Sequence, residues 1–358
     1  MQKLSDFKDD INKCSKCGLC QAVCPIYKVT GNDCAVSRGK FVMLSGVLKG
    51  DLKLSENINK YLDMCLKCGK CKDFCPSGID ACKIFEAAKY EYAKKNFFSK
   101  IIFALQSKLI FNNILKIAGK INSLSTHTSV TPPKRGLRLL FFRGCADKAL
   151  PNSEKALKKV LSKYPEVKLI EKDFDCCGVP FLSSGNLERF EEAKKQNIEI
   201  LNSTEFDYII TDCASCEDAL KNYQFTEKII NISEFIAKHP KTFQFNKNLK
   251  VTFHKPCHLK NYQAVKDILK NCQNIEYIEM KDYDECCGFA GEFALKNPKL
   301  SAKLRENKAQ NILSSNADIV LTLCPACIIG LKSALFGKKH PPKVMNLIEF
   351  LASADIID

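Results

Sequence analysis

The sequence predicts an α+β protein in which a helical N-terminal module is followed by two tandem α/β repeats. Three observations carry that expectation. Two cysteine runs of identical spacing, "CSKCGLCQAVCP" at 14–25 and "CLKCGKCKDFCP" at 65–76, are separated by residues that read as helices. Residues 137–240 can be laid over residues 249–351 with a nearly constant offset. Each of those halves alternates apolar, strand-like runs with amphipathic helices, the pattern of a mostly parallel sheet.

The N-terminal module comes first. In a C-x2-C-x2-C-x3-C-P run the first three cysteines wrap one corner of a cubane [4Fe-4S] cluster, and the fourth reaches a second cluster. Two runs therefore predict two clusters with crossed ligation: Cys14, Cys17, Cys20 and Cys75 at one, and Cys65, Cys68, Cys71 and Cys24 at the other. Pro25 and Pro76 turn the chain away after each fourth cysteine. A pair of zinc sites is the competing reading, but it needs only C-x2-C pairs and explains neither the x3 spacing nor the prolines. The intervening "FVMLSGVLKGDLKLSENINKYLDMC" reads as helix, short break, helix, which makes the unit a helical ferredoxin module spanning 1–96. Cys34 and Cys82 fall outside the spacing and read as packed free thiols.

The stretch "FFSKIIFALQSKLIFNNILKIAG" at 97–119 has the period of a basic amphipathic helix, interrupted by Lys100, Lys108 and Lys116. It reads as a helix packed by its apolar face, with a membrane-surface or partner-docking helix as the alternative. The polar segment after it carries Pro132-Pro133 and reads as a linker, so 97–136 separates the module from the repeats. No apolar run reaches the roughly 18 residues of a membrane span. The chain has 21 cysteines among 358 residues. Its N-terminus has charges where a signal peptide needs an apolar stretch, so a reducing, cytoplasmic setting is expected, in which clustered thiols are metal ligands or redox groups. The net charge of +15 is lysine spread along the chain. It reads as a solvated surface rather than a nucleic-acid footprint, some of which could guide an anionic partner or membrane surface.

Three landmarks define the repeats at 137–248 and 249–358. "RLLFFRGC" matches "VTFHKPC", ending in Cys145 and Cys257. "EKDFDCCGVPF" matches "MKDYDECCGFA", with the pairs Cys176-Cys177 and Cys286-Cys287. "FDYIITDCASCEDAL" matches "ADIVLTLCPACIIGL", with Cys213, Cys216, Cys324 and Cys327. Cys145 to Cys257, Cys176 to Cys286 and Cys213 to Cys324 are offset by 112, 110 and 111 residues, which indicates duplication. Every set follows a strand, and ligand sites of α/β sheets gather at the carboxyl ends of strands. Each repeat therefore offers five sulfurs, one more than a cubane needs.

With the two cysteine runs, "SRGKFVMLSGVL" between them, "CPSGID" after them, and the "CCGVP" and "CCGFAGEFAL" landmarks, the chain resembles the iron-sulfur subunit of glycolate oxidase. That family of CCG-domain proteins includes the C subunit of anaerobic glycerol-3-phosphate dehydrogenase and the B-type subunit of heterodisulfide reductase. The resemblance spans nearly the whole chain and implies two N-terminal [4Fe-4S] clusters. In the heterodisulfide reductase branch it further implies noncubane [4Fe-4S] clusters at the five-cysteine sets, where a disulfide is cleaved or formed. In glycolate oxidase subunits these sets are often thinned, whereas both are complete here.

The resemblance also implies the partners: an FAD-containing 2-hydroxy-acid dehydrogenase as electron donor, and a quinone or membrane acceptor. No G-x-G-x-x-G or P-loop stands in the sequence, and clusters alone cannot remove a hydride, so oxidation of the substrate falls to the partner. The alternatives are a disulfide reductase, or a membrane-tethering subunit of a glycerol-3-phosphate, lactate or succinate dehydrogenase-type complex, peripheral on the cytoplasmic face of the inner membrane. Among other residues, His254 and His258 flank Cys257 and read equally as tuning groups or as polar strand-end residues. Glu292 reads as a solvated helix start, with a proton acceptor at the cluster as the alternative, and Cys272 as a core thiol. Arg38 and Lys40 could raise a nearby cluster's potential or lie on the surface.

Overall fold

A computed structural model describes residues 2–107, 110–111, 113, 136–149, 152–223 and 225–357. The chain is α+β and divides into two compact units. The first comprises residues 1–107, 178–191 and 285–307; the second comprises the described residues of 108–177, 192–284 and 308–358. Residues 114–135, which contain the Pro-Pro linker, lie outside the described residues.

The first unit is helical. Its longest helix, Ala81–Lys95, starts at Asp80, whose side chain accepts from the Lys83 amide, and ends with Lys94 and Lys95, which suit the negative end of the helix dipole. Ala81, Ile84, Phe85 and Ala88 recur at the spacing of one helix face and are all but inaccessible to solvent. They pack with Leu44 and Phe41 of the helix Ser37–Lys49 and with Ile58 and Leu62 of the helix Glu56–Asp63. Full burial of each such large side chain is worth about 2 kcal/mol. Cys14, Cys65, Cys71 and Cys75 rest against this core, so it positions both cysteine runs. The helix Phe97–Leu105 follows, with Phe97 and Phe98 exposed.

The second unit holds two sheets. In the first, β1 (Leu137–Phe141), β2 (Val167–Glu171), β3 (Tyr208–Thr211) and β4 (Ile229–Asn231) are all parallel, in the order β2-β1-β3-β4. In the second, β5 (Thr242–Phe253), β6 (Cys272–Tyr277), β7 (Ile319–Thr322) and β8 (Lys343–Asn346) repeat that order as β6-β5-β7-β8, again parallel. The duplication is thus topological as well as sequential. It extends to detail: Asn231 and Asn346 end β4 and β8 and each caps the next helix, accepting from the amides of Ser233 and Ile348. β9 (Asp355–Ile357) has no counterpart in the first sheet, and pairs antiparallel with residues 242–244 of β5. β5 therefore begins before the point at which the repeat is readable in the sequence. One apolar core, including Leu139, Phe141, Val251, Phe253, Leu321 and Phe350, serves both sheets, and Cys272 lies within it as a core thiol, its Sγ donating to the Ile268 carbonyl.

Candidate metal centres

The two N-terminal runs fold into the same local shape because they place the same residue types at the same turn positions. Lys16 and Lys67 take left-handed backbone with φ of 58° and 54°, and Gly18 and Gly69 follow at 89° and 75°. Each glycine precedes a single-turn helix, Leu19–Ala22 or Lys70–Asp73. Alternating left-handed and helical residues curl the backbone so that its first three thiols face inward. In the second run the Lys67 amide points at Cys65 Sγ, 3.4 Å away. Pro25 opens the helix Pro25–Thr30 immediately after Cys24, where its fixed φ suits a first helical position and its missing N–H costs no bond.

Two cavities result. Cys14, Cys17, Cys20 and Cys75 line the first, with Arg38 and Ser37. Cys24, Cys65, Cys68 and Cys71 line the second, with Lys40 and Cys82. Cys71 also borders the first. Cys34 lies exposed in a short 3-10 turn and lines neither.

The electrostatics fit a cationic guest. Burial, then the neighbouring thiolates of Cys65, Cys24 and Cys20, push the Cys71 thiol up to about 12. Burial likewise raises Cys20 and Cys24. Cys65 is held well below the usual thiol range because Cys82 donates to it, with Lys40 and Lys67 adding positive charge. Closely packed soft donors, among which Cys20, Cys24 and Cys71 resist deprotonation alone yet would serve as ligands only as thiolates, call for a thiophilic metal in their midst. The residues present fit a [4Fe-4S] cluster in each cavity.

Cys82 is the residue that spacing misses. It sits at the start of the helix Ala81–Lys95, and its bond to Cys65 keeps its own proton bound far above the ordinary thiol range. That describes a donor to a ligand rather than a ligand. The Cys82→Ala variant should therefore keep its full iron content per chain, where Cys68→Ala should lose about four irons.

In the second unit the cysteines stand beyond the carboxyl ends of strands. Cys145 begins the helix Cys145–Ala149 after β1; Cys213 precedes Ala214–Leu220 after β3; Cys324 precedes Pro325–Leu335 after β7; Cys257 follows β5. Cys176 Sγ lies 3.5 Å from Cys145 Sγ. Cys216 donates to Cys177 and Cys213, which with burial raises its pKa well above normal. Cys324 accepts from Cys213 and Cys327 and is held well below normal. The first set thus forms two sulfur groups, Cys145 with Cys176 and Cys216 with Cys177 and Cys213, and the second group runs on through Cys213 to Cys324 and Cys327 of the second repeat.

Polar groups hold this arrangement. Asn197, fully buried, accepts from the Asp175 amide at 2.8 Å and donates to the Cys176 carbonyl at 3.1 Å, and the Tyr223 hydroxyl donates to the Cys177 carbonyl. Neither residue carries a sequence signal beyond its place on an amphipathic helix or after one. His258 Nδ1 lies 3.0 Å from Ser215 Oγ, which in turn lies 3.7 Å from Cys324 Sγ. His254 is fully buried within 4.8 Å of Cys327, and burial, then Lys308, push its pKa well down, so it is neutral.

Cys286 and Cys287 belong to residues 285–307 of the first unit, where Cys286 packs with Ile26 and Leu66 and its Sγ faces the Gly288 amide at 3.4 Å. Glu292 immediately precedes the helix Phe293–Lys296, and its carboxylate pairs with Lys296 at 2.9 Å rather than with the helix amides. The glycine of each CCG triplet is obligatory in two ways. Gly178 and Gly288 have φ of 91° and 75°, and a Cβ would fall 2.3 Å from the Phe190 ring in one case and 2.9 Å from Leu304 in the other.

The cysteine-rich domain family CCG matches residues 139–221 and 251–332, and the 4Fe-4S dicluster domain family matches residues 10–79. An iron-sulfur protein of Methanococcus maripaludis is 29% identical, over 97% of this chain and 74% of its own length. A fumarate reductase (CoM/CoB) subunit of Methanothermobacter marburgensis is 28% identical, over 98% of this chain and 74% of its own. A probable glycolate oxidase iron-sulfur subunit of Bacillus subtilis is 22% identical, over 98% of this chain and 96% of its own. A solved structure of a Helicobacter pylori protein shares the fold, with a TM-score of 0.56 at 10% identity over 88% of this chain and 68% of that one. Among the described residues, no helix is long and apolar enough to cross a membrane.

Proposed function

Because the chain belongs to the CCG-domain iron-sulfur proteins that include the glycolate oxidase iron-sulfur subunits, we propose that it relays electrons from the reduced flavin of a 2-hydroxy-acid dehydrogenase partner towards a quinone or membrane acceptor. The observation that carries this reading is the pair of cavities, the first lined by Cys14, Cys17, Cys20 and Cys75 and the second by Cys24, Cys65, Cys68 and Cys71, so that each draws on both runs and Cys71 borders both. When bound, a [4Fe-4S] cluster supplies one-electron chemistry. The chain's residues do the rest. Cys14, Cys17, Cys20 and Cys75 hold one centre and Cys24, Cys65, Cys68 and Cys71 the other; the apolar core behind them excludes water; Cys82 donates to Cys65. One-electron centres cannot accept a hydride, so substrate oxidation rests with the flavoprotein.

The sulfur chain from Cys177 through Cys216 and Cys213 to Cys324 and Cys327 favours a second reading. There the complete five-cysteine sets, Cys145, Cys176, Cys177, Cys213 and Cys216, and Cys257, Cys286, Cys287, Cys324 and Cys327, hold noncubane clusters that act on a disulfide. Iron and acid-labile sulfide, with EPR, on protein purified without oxygen test both readings. About sixteen irons per chain are expected if all four sites fill, and about eight if only the N-terminal module does. Electron relay further predicts that the reduced EPR signals vanish on adding a quinone analogue. Signals that persist with quinone and vanish with an organic disulfide would replace relay by disulfide chemistry.

A further inference from the structure

Lys40, on the helix Ser37–Lys49, is 2% exposed and lines the second cavity beside Cys24, Cys65, Cys68 and Cys71. Its Nζ stands 5.0 Å from the centroid of the Phe85 ring, and no carboxylate among the described residues forms an ion pair with it. A buried ammonium without a counter-charge is too costly to persist. The other cations around this cavity already have partners: Lys67 pairs with Glu86 at 2.9 Å, and Lys70 with Glu285 at 3.6 Å. The first cavity differs. Its lining cations are Arg38, paired with Asp33 at 3.2 Å and partly solvated, and Lys16, which is exposed.

Lys40 shares this cavity with the four thiols of Cys24, Cys65, Cys68 and Cys71, and with Cys82, which donates to Cys65. Four thiolates on a [4Fe-4S] core make a dianion, and a one-electron reductant converts it to a trianion without transfer of a proton. A fixed buried cation stabilises the trianion more than the dianion, and low local polarity enlarges the difference. At the first cavity solvent and Asp33 screen the cations, so the same effect is weaker there.

We propose that Lys40 is the fixed counter-ion of the cluster held by Cys24, Cys65, Cys68 and Cys71, and that it makes this cluster the higher-potential centre of the N-terminal module. Electrons entering the module then collect at the second cavity. The inference rests on the ligand assignment proposed above.

The test is an anaerobic, EPR-monitored redox titration with dithionite on the full chain, with signals assigned through Cys17→Ser and Cys68→Ser. The signal altered by Cys68→Ser should appear first as the potential falls. In Lys40→Met that signal should move to lower potential, with the oxidised-to-reduced ratio at the original midpoint rising about tenfold or more. The signal altered by Cys17→Ser should hold its place, and Lys40→Arg should restore the parent behaviour. An unshifted midpoint in Lys40→Met, equal shifts of both signals, or the opposite order in the parent protein would overturn the inference while leaving the ligand assignment standing. If Lys40→Met fails to retain both clusters, Lys40→Arg decides: recovery of both clusters at parent potentials supports a counter-ion, and the same deficiency in Lys40→Arg overturns it. A parent protein with no signal sensitive to Cys68→Ser would remove the ligand assignment itself.

Discussion

Replacing Cys75 by alanine should remove the cluster of the first cysteine run and leave that of the second. Cys75 lies in "CLKCGKCKDFCP", yet it lines the cavity of Cys14, Cys17 and Cys20, while Cys24 of the first run lines the cavity of Cys65, Cys68 and Cys71. The physical cause is the x3 spacing. After the single-turn helices Leu19–Ala22 and Lys70–Asp73, the fourth cysteine leaves its own turn and points to the neighbouring one. Iron should fall by about four per chain in Cys75→Ala, and the EPR signal lost should be the one that Cys17→Ala also removes. Cys24→Ala should instead match Cys68→Ala. If Cys75→Ala matched Cys68→Ala, each run would hold its own cluster and the crossed assignment would fail.

Replacing Asp63 by alanine should be among the most destabilising changes available in the first unit. Its carboxylate pairs with Lys89 at 2.7 Å and with Lys296 at 3.2 Å, and accepts from the Asn59 amide at 3.0 Å. It thereby joins the helices Glu56–Asp63, Ala81–Lys95 and Phe293–Lys296. The Lys89 side chain is only 7% exposed, and burial already depresses its pKa. Removing the carboxylate leaves a buried ammonium stranded, a change that costs about 3–5 kcal/mol. The expected result is a large drop in the urea midpoint of the first unit and faster release of iron, because the helix ending at Asp63 leads directly into Cys65. Adding Lys89→Met should recover much of the loss, since the stranded charge goes with it. Additive losses in the double variant would show that the ion pair is not the cause.

Much of the architecture is legible because its signals are short-range. A C-x2-C turn, a glycine in left-handed backbone and a proline at a first helical position each involve a few neighbouring residues, so the spacing in "CSKCGLC" and "CLKCGKC" already implies inward-facing thiols. The duplication is legible because each repeat must rebuild the same strand, loop and helix. The CCG triplets are legible as landmarks, but the need for Gly178 and Gly288 is visible only where Phe190 and Leu304 press against them. β9 carries no period that marks it, as its three residues are recruited by the N-terminal end of β5 on the edge opposite β6.

By itself, then, the sequence determined where the cysteines cluster, that the clusters recur in pairs, and that the C-terminal half is a duplicated parallel sheet. Tertiary structure decided the surroundings of those sets. Lys40 reads in sequence equally as a surface or a cluster-facing residue, and Cys82 as an ordinary packed thiol; both line the second cavity because the helices Ser37–Lys49 and Ala81–Lys95 pack through Phe41 and Phe85. Asn197 and Tyr223 reach the CCG loop in the same way, from a helix and from the turn after another. Burial and charge pairing depend on which faces of distant helices meet, and a spacing rule within one short segment carries no information about that.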